Sequence, residues 1–339
     1  MASRSINRTS KRVVVLFDLP YEPPESHKYS DLFKEVEFES ERAVFNCLAR
    51  LGHEPFYVGV FGDLPRLIGD LKKIEPHLVF NLTESFNGRR EGAPSVASVL
   101  DLLKIPYSGT GALGLGLSQD KNLAKKILVH HHIRVPKWVA STIARPLKKI
   151  SDFEFPAFVK PAKEEASEGI ARDSFVENEK DCLDRIQFLH EKFESDVIIE
   201  EYISGRELYA SVLGNKRLQV FPLRELNFKE FPEDLPKFAT YKTKWDVAYR
   251  KKYGIKNEFA KNLSEEQIDK IQSIAKRAFE GLQLKGFARF DLRLSEAGEL
   301  VLLEANPNPS LSPWDDFSRS AQEAGLSYDD LIEKIIDLI

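Results

Sequence analysis

Short apolar runs alternate with helix-length amphipathic runs from Lys11 to about Gly109, the pattern of a parallel α/β layer. It predicts strands over 12–18, 55–61 and 77–82. Between the first two, Ala43, Val44, Cys47, Leu48 and Leu51 recur at helical spacing from Glu39 onward, and Gly52 suits the left-handed residue that closes a helix. A further helix fits 93–104. The glycine-rich stretch GTGALGLGLSQD at 109–120 reads as a hinge before a helix from about Gln119 to His130. A second unit, 110–203, offers strands near 156–160 and 197–203 and a helix near 179–192. The remainder, 204–339, offers strands at 206–213 and 218–223, a polar, aromatic and basic loop over 227–257, a helix at 264–281 and a hairpin. Residues 1–11 read as a flexible tail, and no internal repeat is visible.

The hairpin, GFARFDLRLSEAGELVLLEANPNPS at 286–310, carries the most chemistry. With a two-residue turn at Ala297-Gly298, Asp291 faces Glu304, Arg289 faces Asn306, Phe290 faces Ala305 and Leu292 faces Leu303. Side chains alternate along a strand, so Arg289, Asp291, Glu304 and Asn306 project from one face and the apolar residues from the other. Two carboxylates directly opposed destabilise a sheet unless a cation lies between them. The all-oxygen set suits Mg²⁺ carrying nucleotide phosphates better than zinc or a redox metal. The alternative is a solvated face with one Arg–Asp salt bridge; the coincidence of an apolar partner face, an Asn and an Arg favours the metal.

Charge and composition narrow the partners. The 49 basic and 53 acidic side chains nearly cancel, leaving no overall drive toward nucleic acid or an anionic membrane. Cys47 and Cys182 are far apart and in no metal-ligand spacing, which argues against a disulfide framework and for a cytoplasmic location. The run VVVLF at 13–17 breaks at Asp18 and Pro20, too short for a signal peptide, and nothing approaches the roughly 20 apolar residues of a membrane span. Residues 109–116 do not fit a dinucleotide fingerprint, because no glycine closes the first strand, VVVLFDLP.

The LLEANPNPS run with its upstream FARFDLRL resembles the metal hairpin of ATP-grasp enzymes, particularly the D-alanine:D-alanine ligase branch, and the similarity extends over nearly all of the chain from about Val13. The resemblance implies an ATP-grasp fold of α/β and α+β class: a Rossmann-like parallel domain over 12–109, a central subdomain over 110–203, and a C-terminal subdomain with the metal hairpin over 204–339. Asp291, Glu304 and Asn306 would hold two Mg²⁺ (or Mn²⁺) ions and Arg289 would stabilise the developing oxyanion. Lys121, in LSQDKNLAKKIL, and Lys160, in FPAFVKPAKEEASEGI, match the two nucleotide lysines. A strand lysine amid Phe158, Val159 and Pro161 is costly to bury without an anion, and a triphosphate supplies one. In VIIEEYISGRELYASV, Glu200 would meet the adenine amino group, the backbone near Glu201 and Ile203 would complete adenine recognition, and Glu207 would accept from the ribose hydroxyls.

The implied activity is an ATP-dependent ligase forming a carbon–nitrogen bond: a carboxylate attacks the γ-phosphate, an amine attacks the acyl phosphate, and ADP and phosphate leave. Lys244, in YKTKWD, matches a lysine that contacts the transferring phosphate, with Trp245 where the true ligases carry tyrosine. The mobile loop reads KEEASEG, with Ala166 in place of a substrate-orienting serine; Ser167 keeps the phosphate-facing character. Asp315 and Asp316 fall near the serine that binds the second substrate's carboxylate, and an Asp there favours an amine. The expected substrates are therefore amino-acid or peptide-like, but not D-alanine on both sides. Asn81, Glu84, Arg90 and Glu91, in NLTESFNGRREG beyond the carboxyl end of a strand, are further substrate candidates, the alternative being a polar loop that caps the next helix. Since this branch is often dimeric, the resemblance also implies a homodimer. A competing reading is a non-catalytic ATP-binding module that closes on ATP to engage a protein partner.

Overall fold

The structure is a computed structural model describing residues 9–22, 29, 32–163, 169–232 and 235–339; the start of the expected tail and Ser167 lie outside the described residues. The chain divides into two compact units, one of residues 1–112 with 310–339 and the other of residues 113–309.

The first unit begins with β1 (Arg12–Asp18), α1 (Glu39–Arg50), β2 (Glu54–Val60), α2 (Leu64–Ile74), β3 (Leu78–Asn81) and α3 (Ala93–Leu102). Its sheet is parallel, in the order β2-β1-β3. The central strand is apolar without alternation because both faces are covered. Val14 and Leu16 pack with Val58, Val79, Leu67 of α2 and Val96 of α3, while Phe17 packs with Phe38 and Tyr57 on the other side. Asp63 starts α2 by accepting the backbone N–H of Arg66.

The second unit begins with α4 (Ala112–Gln119), so the glycine-rich stretch expected as a hinge is largely helical. The physical reason is burial: Gly114, Leu115 and Ser118 form its inner face, where small residues permit close packing. Then come α5 (Lys121–His130), β4 (Trp138–Ser141), β5 (Ala157–Pro161), β6 (Phe175–Val176), α6 (Glu179–Phe193), β7 (Val197–Glu201), β8 (Arg206–Leu213) and β9 (Gln219–Val220). The expected loop over 227–257 is mostly structured: β10 (Arg224–Phe228), α7 (Tyr241–Trp245), α8 (Val247–Lys252) and β11 (Ile255–Phe259). Thr240 and Asp246 cap its two short helices by accepting backbone N–H groups three residues on, and Leu226, Phe231 and Ile255 form a small core beneath. After α9 (Glu265–Gly281) come β12 (Phe287–Leu294) and β13 (Leu300–Pro307). One sheet runs β4-β7-β5-β6; the other runs β11-β10-β8-β12-β13, with β9 on β8. Beneath the larger sheet lies a core joining Leu208, Ala210, Phe290, Leu292 and Leu302 to Ile271, Ala275 and Phe279 of α9.

The hairpin register differs from the expectation in one respect. Ser295 N–H donates to Glu299 at 2.9 Å and Gly298 N–H donates to Ser295 at 2.9 Å, so the loop is Glu296, Ala297 and Gly298 rather than a two-residue turn. Gly298 takes the left-handed φ of +80° that such a loop requires. Near the loop Leu292 therefore faces Leu302, not Leu303. A β-bulge between Asp291 and Leu292 then absorbs Leu303 and restores Asp291 opposite Glu304, Phe290 opposite Ala305 and Arg289 opposite Asn306.

The chain ends with α10 (Asp316–Glu323) and α11 (Tyr328–Asp337). These belong to the first unit, so residues 310–339 do not form part of a third unit that starts at 204. Asp329 of α11 accepts from Cys47 Sγ at 3.1 Å and from Arg50 Nη2 at 2.5 Å, both on α1. The apolar face Leu331, Ile332, Ile335 and Ile336 is buried.

Candidate active site

Four elements of the second unit, α5, β5, β7 and β13, bring buried lysines and carboxylates together. Asp120 caps α5 by accepting from Leu123 N–H, and Lys121 N–H donates to the carbonyl of Ala162 just past β5, joining the helix start to the strand that carries Lys160. Lys121 Nζ then lies 3.1 Å from Glu304 Oε1 on β13. Lys160 Nζ lies 3.1 Å from Glu200 Oε2 on β7. One helical turn after Lys121, Lys125 brings Nζ within 3.1 Å of Glu200 Oε1 and donates to the Leu303 carbonyl at 3.3 Å. Lys121, Lys125, Lys160 and Glu200 are all at most 6% exposed.

Burial opposes every one of these charges, and the neighbours decide the outcome. Burial raises the pKa of Glu304, but Lys121, Lys160 and Lys244 outweigh it and hold the carboxyl at about 2. Glu200 is likewise lowered, burial being overcome by Lys125 and Lys160. Lys160 is raised because Glu200 and Glu304 together outweigh its desolvation. Lys125 goes the other way: desolvation exceeds the attraction of Glu200, Lys160 repels it, and its pKa falls to about 8. Asp291 is raised by burial, with the Glu304 charge adding to this against the pull of Arg289 and Lys244.

On the open face of the hairpin, Arg289 grips Asp291 with two hydrogen bonds of 2.8 and 3.0 Å while its guanidinium lies 4.9 Å from the Tyr209 ring. Asn306, opposite Arg289, has an amide Nδ2 that is buried and has no hydrogen-bond partner among the described residues. The Lys244 charge acts on both Asp291 and Glu304. Among the described residues no group of three His, Cys, Asp or Glu side chains could hold a metal, so two carboxylates and one amide are the donors available at this face.

The remaining expected nucleotide residues are distributed around this centre. Glu207 accepts from Arg293 Nη2 at 2.7 Å and from the Tyr209 hydroxyl at 2.9 Å. Glu201 pairs with Arg134, and Ile203 is partly buried just beyond β7. Lys125 and Arg293 were not singled out from the sequence. For Lys125 the signal was present, since it stands four residues after Lys121 on one helix face.

In the first unit, Glu84 and Arg90 meet at 2.8 Å, and Asp18, at the end of β1, accepts from Glu84 N–H at 2.9 Å and Ser85 Oγ at 3.0 Å. Asn81 Oδ1 accepts from Thr83 N–H and its hydroxyl. Glu91 instead pairs with Arg89, and Asp315 accepts from the Ser310 hydroxyl.

Comparison with known proteins identifies the family. The family model described as D-ala D-ala ligase C-terminus matches residues 126–337. A D-alanine--D-alanine ligase from Desulfotalea psychrophila is 32% identical over 280 residues, 81% of each chain. The D-alanine--D-alanine ligase B of Clostridium perfringens is 28% identical over 90% of this chain and 93% of its own. The fold is similar to that of a D-alanine--D-alanine ligase from Bacillus anthracis, with a TM-score of 0.75 at 22% identity over 97% of both chains. A structure of the Bacillus anthracis ligase complexed with ATP gives a TM-score of 0.73 at 21% identity. No helix among the described residues is long and apolar enough to cross a membrane. A buried lysine–carboxylate lattice on this fold, together with these relatives, makes the chain a member of the D-alanine–D-alanine ligase family of ATP-grasp enzymes, ATP-dependent ligases that form carbon–nitrogen bonds.

Proposed function

We propose that this enzyme joins a carboxylate to an amine through an acyl phosphate, on amino-acid or peptide-like substrates that are not D-alanine on both sides. The observation that carries the reading is the meeting of Lys121, Lys160 and Lys244 around the opposed Asp291–Glu304 pair, in which the lysines hold Glu304 ionised. Buried lysines that share two carboxylates can transfer to phosphate oxygens at little cost, because one anion replaces another. Lys121 and Lys160 would then hold the polyphosphate, and Lys244 and Arg289 would neutralise charge that develops on the transferring phosphoryl and acyl oxygens. That transfer also frees oxygens of Asp291 and Glu304 which the lysine and arginine now occupy. With the amide oxygen of Asn306, which lies opposite Arg289 on the same hairpin, they would supply the hard-donor set for Mg²⁺. The ion would supply charge neutralisation between phosphates and carboxylates. Glu200, whose carboxylate lies between Lys125 and Lys160, would position the lysines while the backbone beyond β7 meets the base. On the substrate side, Asp315 favours an amine over a second carboxylate.

Phosphate release in the presence of ATP, Mg²⁺ and a pool of amino acids tests the reading. Turnover should require both a carboxylate and an amine, and Glu304→Gln should abolish it with the fold intact. Wild-type turnover in Glu304→Gln would remove the assignment.

A further inference from the structure

The open face of the larger sheet is laid out in rows across β8, β12 and β13, and the row through Arg289 contains a buried hydroxyl that the fold does not use. We propose that Ser211 is a second seat for Arg289, a positioning residue whose hydroxyl accepts the guanidinium when Asp291 turns to another cation. Resting on the carboxylate–amine ligase reading, in which Asp291 gives up its arginine, this adds the residue that receives it.

Residues directly opposite in an antiparallel sheet point to the same side, with Cβ atoms about 4.5–5.5 Å apart. Arg289 lies opposite Ser211 on β8 and opposite Asn306 on β13, so Ser211, Arg289 and Asn306 form one row. The next row is Tyr209, Asp291 and Glu304. Leu208, Ala210 and Val212 alternate with these β8 residues and enter the core beneath, which fixes Ser211 on the open side. The Ser211 carbonyl accepts from Phe221 N–H at 2.9 Å. Its side chain is fully buried, and Oγ has no hydrogen-bond partner among the described residues. The guanidinium of Arg289 already leans toward this strand: while Nε and Nη2 bind Asp291, it lies 4.9 Å from the ring of Tyr209, two residues before Ser211 on the same face.

When Asp291 is drawn to another cation, a guanidinium left in place loses two charge-assisted hydrogen bonds in a largely buried position. Its two row neighbours differ in what they offer. The Asn306 atom without a partner is Nδ2, a donor like the guanidinium itself, and the amide oxygen is assigned above to the metal. A serine hydroxyl accepts through two lone pairs and keeps one hydrogen to donate. Ser211 is therefore the neighbour that can take an Arg289 N–H. The exchange leaves the guanidinium beside the Tyr209 ring, in the row where Asp291 and Glu304 meet. Without the hydroxyl, Arg289 holds more tightly to Asp291 and competes with the incoming cation.

The test is titration calorimetry of the full chain with ADP, with and without Mg²⁺, on the wild type and Ser211→Ala. Without Mg²⁺ the two should bind alike. Mg²⁺ should tighten binding to the wild type about tenfold more than binding to the variant. In an Arg289→Met background, where no guanidinium competes for Asp291, Ser211→Ala should change neither titration; if Arg289→Met does not fold, Ser211→Ala decides alone. The melting temperature of Ser211→Ala should equal or exceed that of the wild type, because alanine removes a buried hydroxyl that has no partner; a merely structural role would lower it. Equal Mg²⁺ effects in the wild type and Ser211→Ala, no Mg²⁺ effect in the wild type, or the same loss with and without Arg289 would overturn the seat. Ligation that requires a carboxylate and an amine, with equal Mg²⁺ effects in the two proteins, would sink the seat and leave the ligase reading standing. A Mg²⁺ effect lost in Ser211→Ala, with no phosphate release from any carboxylate–amine pair, would do the reverse.

Discussion

Lys125→Met separates the energetic role of this lysine from its positional one. Its pKa of about 8, against the ordinary 10.5, already includes the attraction of Glu200, and corresponds to about 3 kcal/mol against the charged form in the fold. Methionine fills a similar volume and removes that cost, but it leaves the Leu303 carbonyl without its 3.3 Å donor, a loss of about 1–3 kcal/mol for a buried acceptor. The two contributions nearly cancel, so chemical denaturation at pH 7 should find the variant within about 2 kcal/mol of the wild type. The pH dependence has a definite sign. A base whose folded pKa is depressed favours the neutral form in the fold, so wild-type stability should rise as pH climbs from about 8 toward 10.5, and the variant should lack this rise. Turnover should nevertheless fall roughly 10- to 100-fold, as for loss of a group that orients primary ligands, since Lys125 holds the bulge residue that precedes Glu304. A destabilisation well beyond 3 kcal/mol, or unchanged turnover, would refute the balance drawn here.

Glu304 has the opposite linkage: its folded pKa of about 2 lies below the ordinary 4.5, so it contributes about 3 kcal/mol above pH 4.5 that is lost as pH falls toward 2, and acid unfolding of Glu304→Gln should lack this component. Gly205→Ala should destabilise by about 3 kcal/mol or prevent folding, read by thermal denaturation, because φ is +132° and a Cβ would stand 2.1 Å from the Leu294 carbonyl. Gly298→Ala, where φ is +80° but nothing lies within 4 Å, should cost only about 1 kcal/mol by the same assay and spare turnover.

The hairpin shows how far sequence can carry such a site. Strand alternation correctly places Asp291 opposite Glu304, yet the two-residue turn assumed for it is absent, and the three-residue loop taken alone would set Leu303 there. The bulge cancels the slip. Hydrophobicity could not locate it, because LVLLEA offers leucine at both 302 and 303, and a bulged residue differs from its neighbour only in where its carbonyl points. That carbonyl meets Lys125, a residue on a distant helix. Lys121 and Lys125 share a helix face and are visible as a pair, but which carboxylate each takes depends on three strands that no local pattern brings together. The same reasoning covers α11, which the sequence reading does not draw: its capping box at Ser327 and Asp330 is local, whereas its attachment to α1 rests on Asp329 finding Cys47 and Arg50 some 280 positions earlier. Local periodicity therefore fixes which faces are chemical, and long-range pairing fixes what each face does. Asp18 illustrates the limit most sharply. As a lone acid after VVVLF it reads as a strand terminator, and only the fold sets its Oδ1, which has no hydrogen-bond partner among the described residues, on the sheet face of Asn81 and within the influence of Glu84.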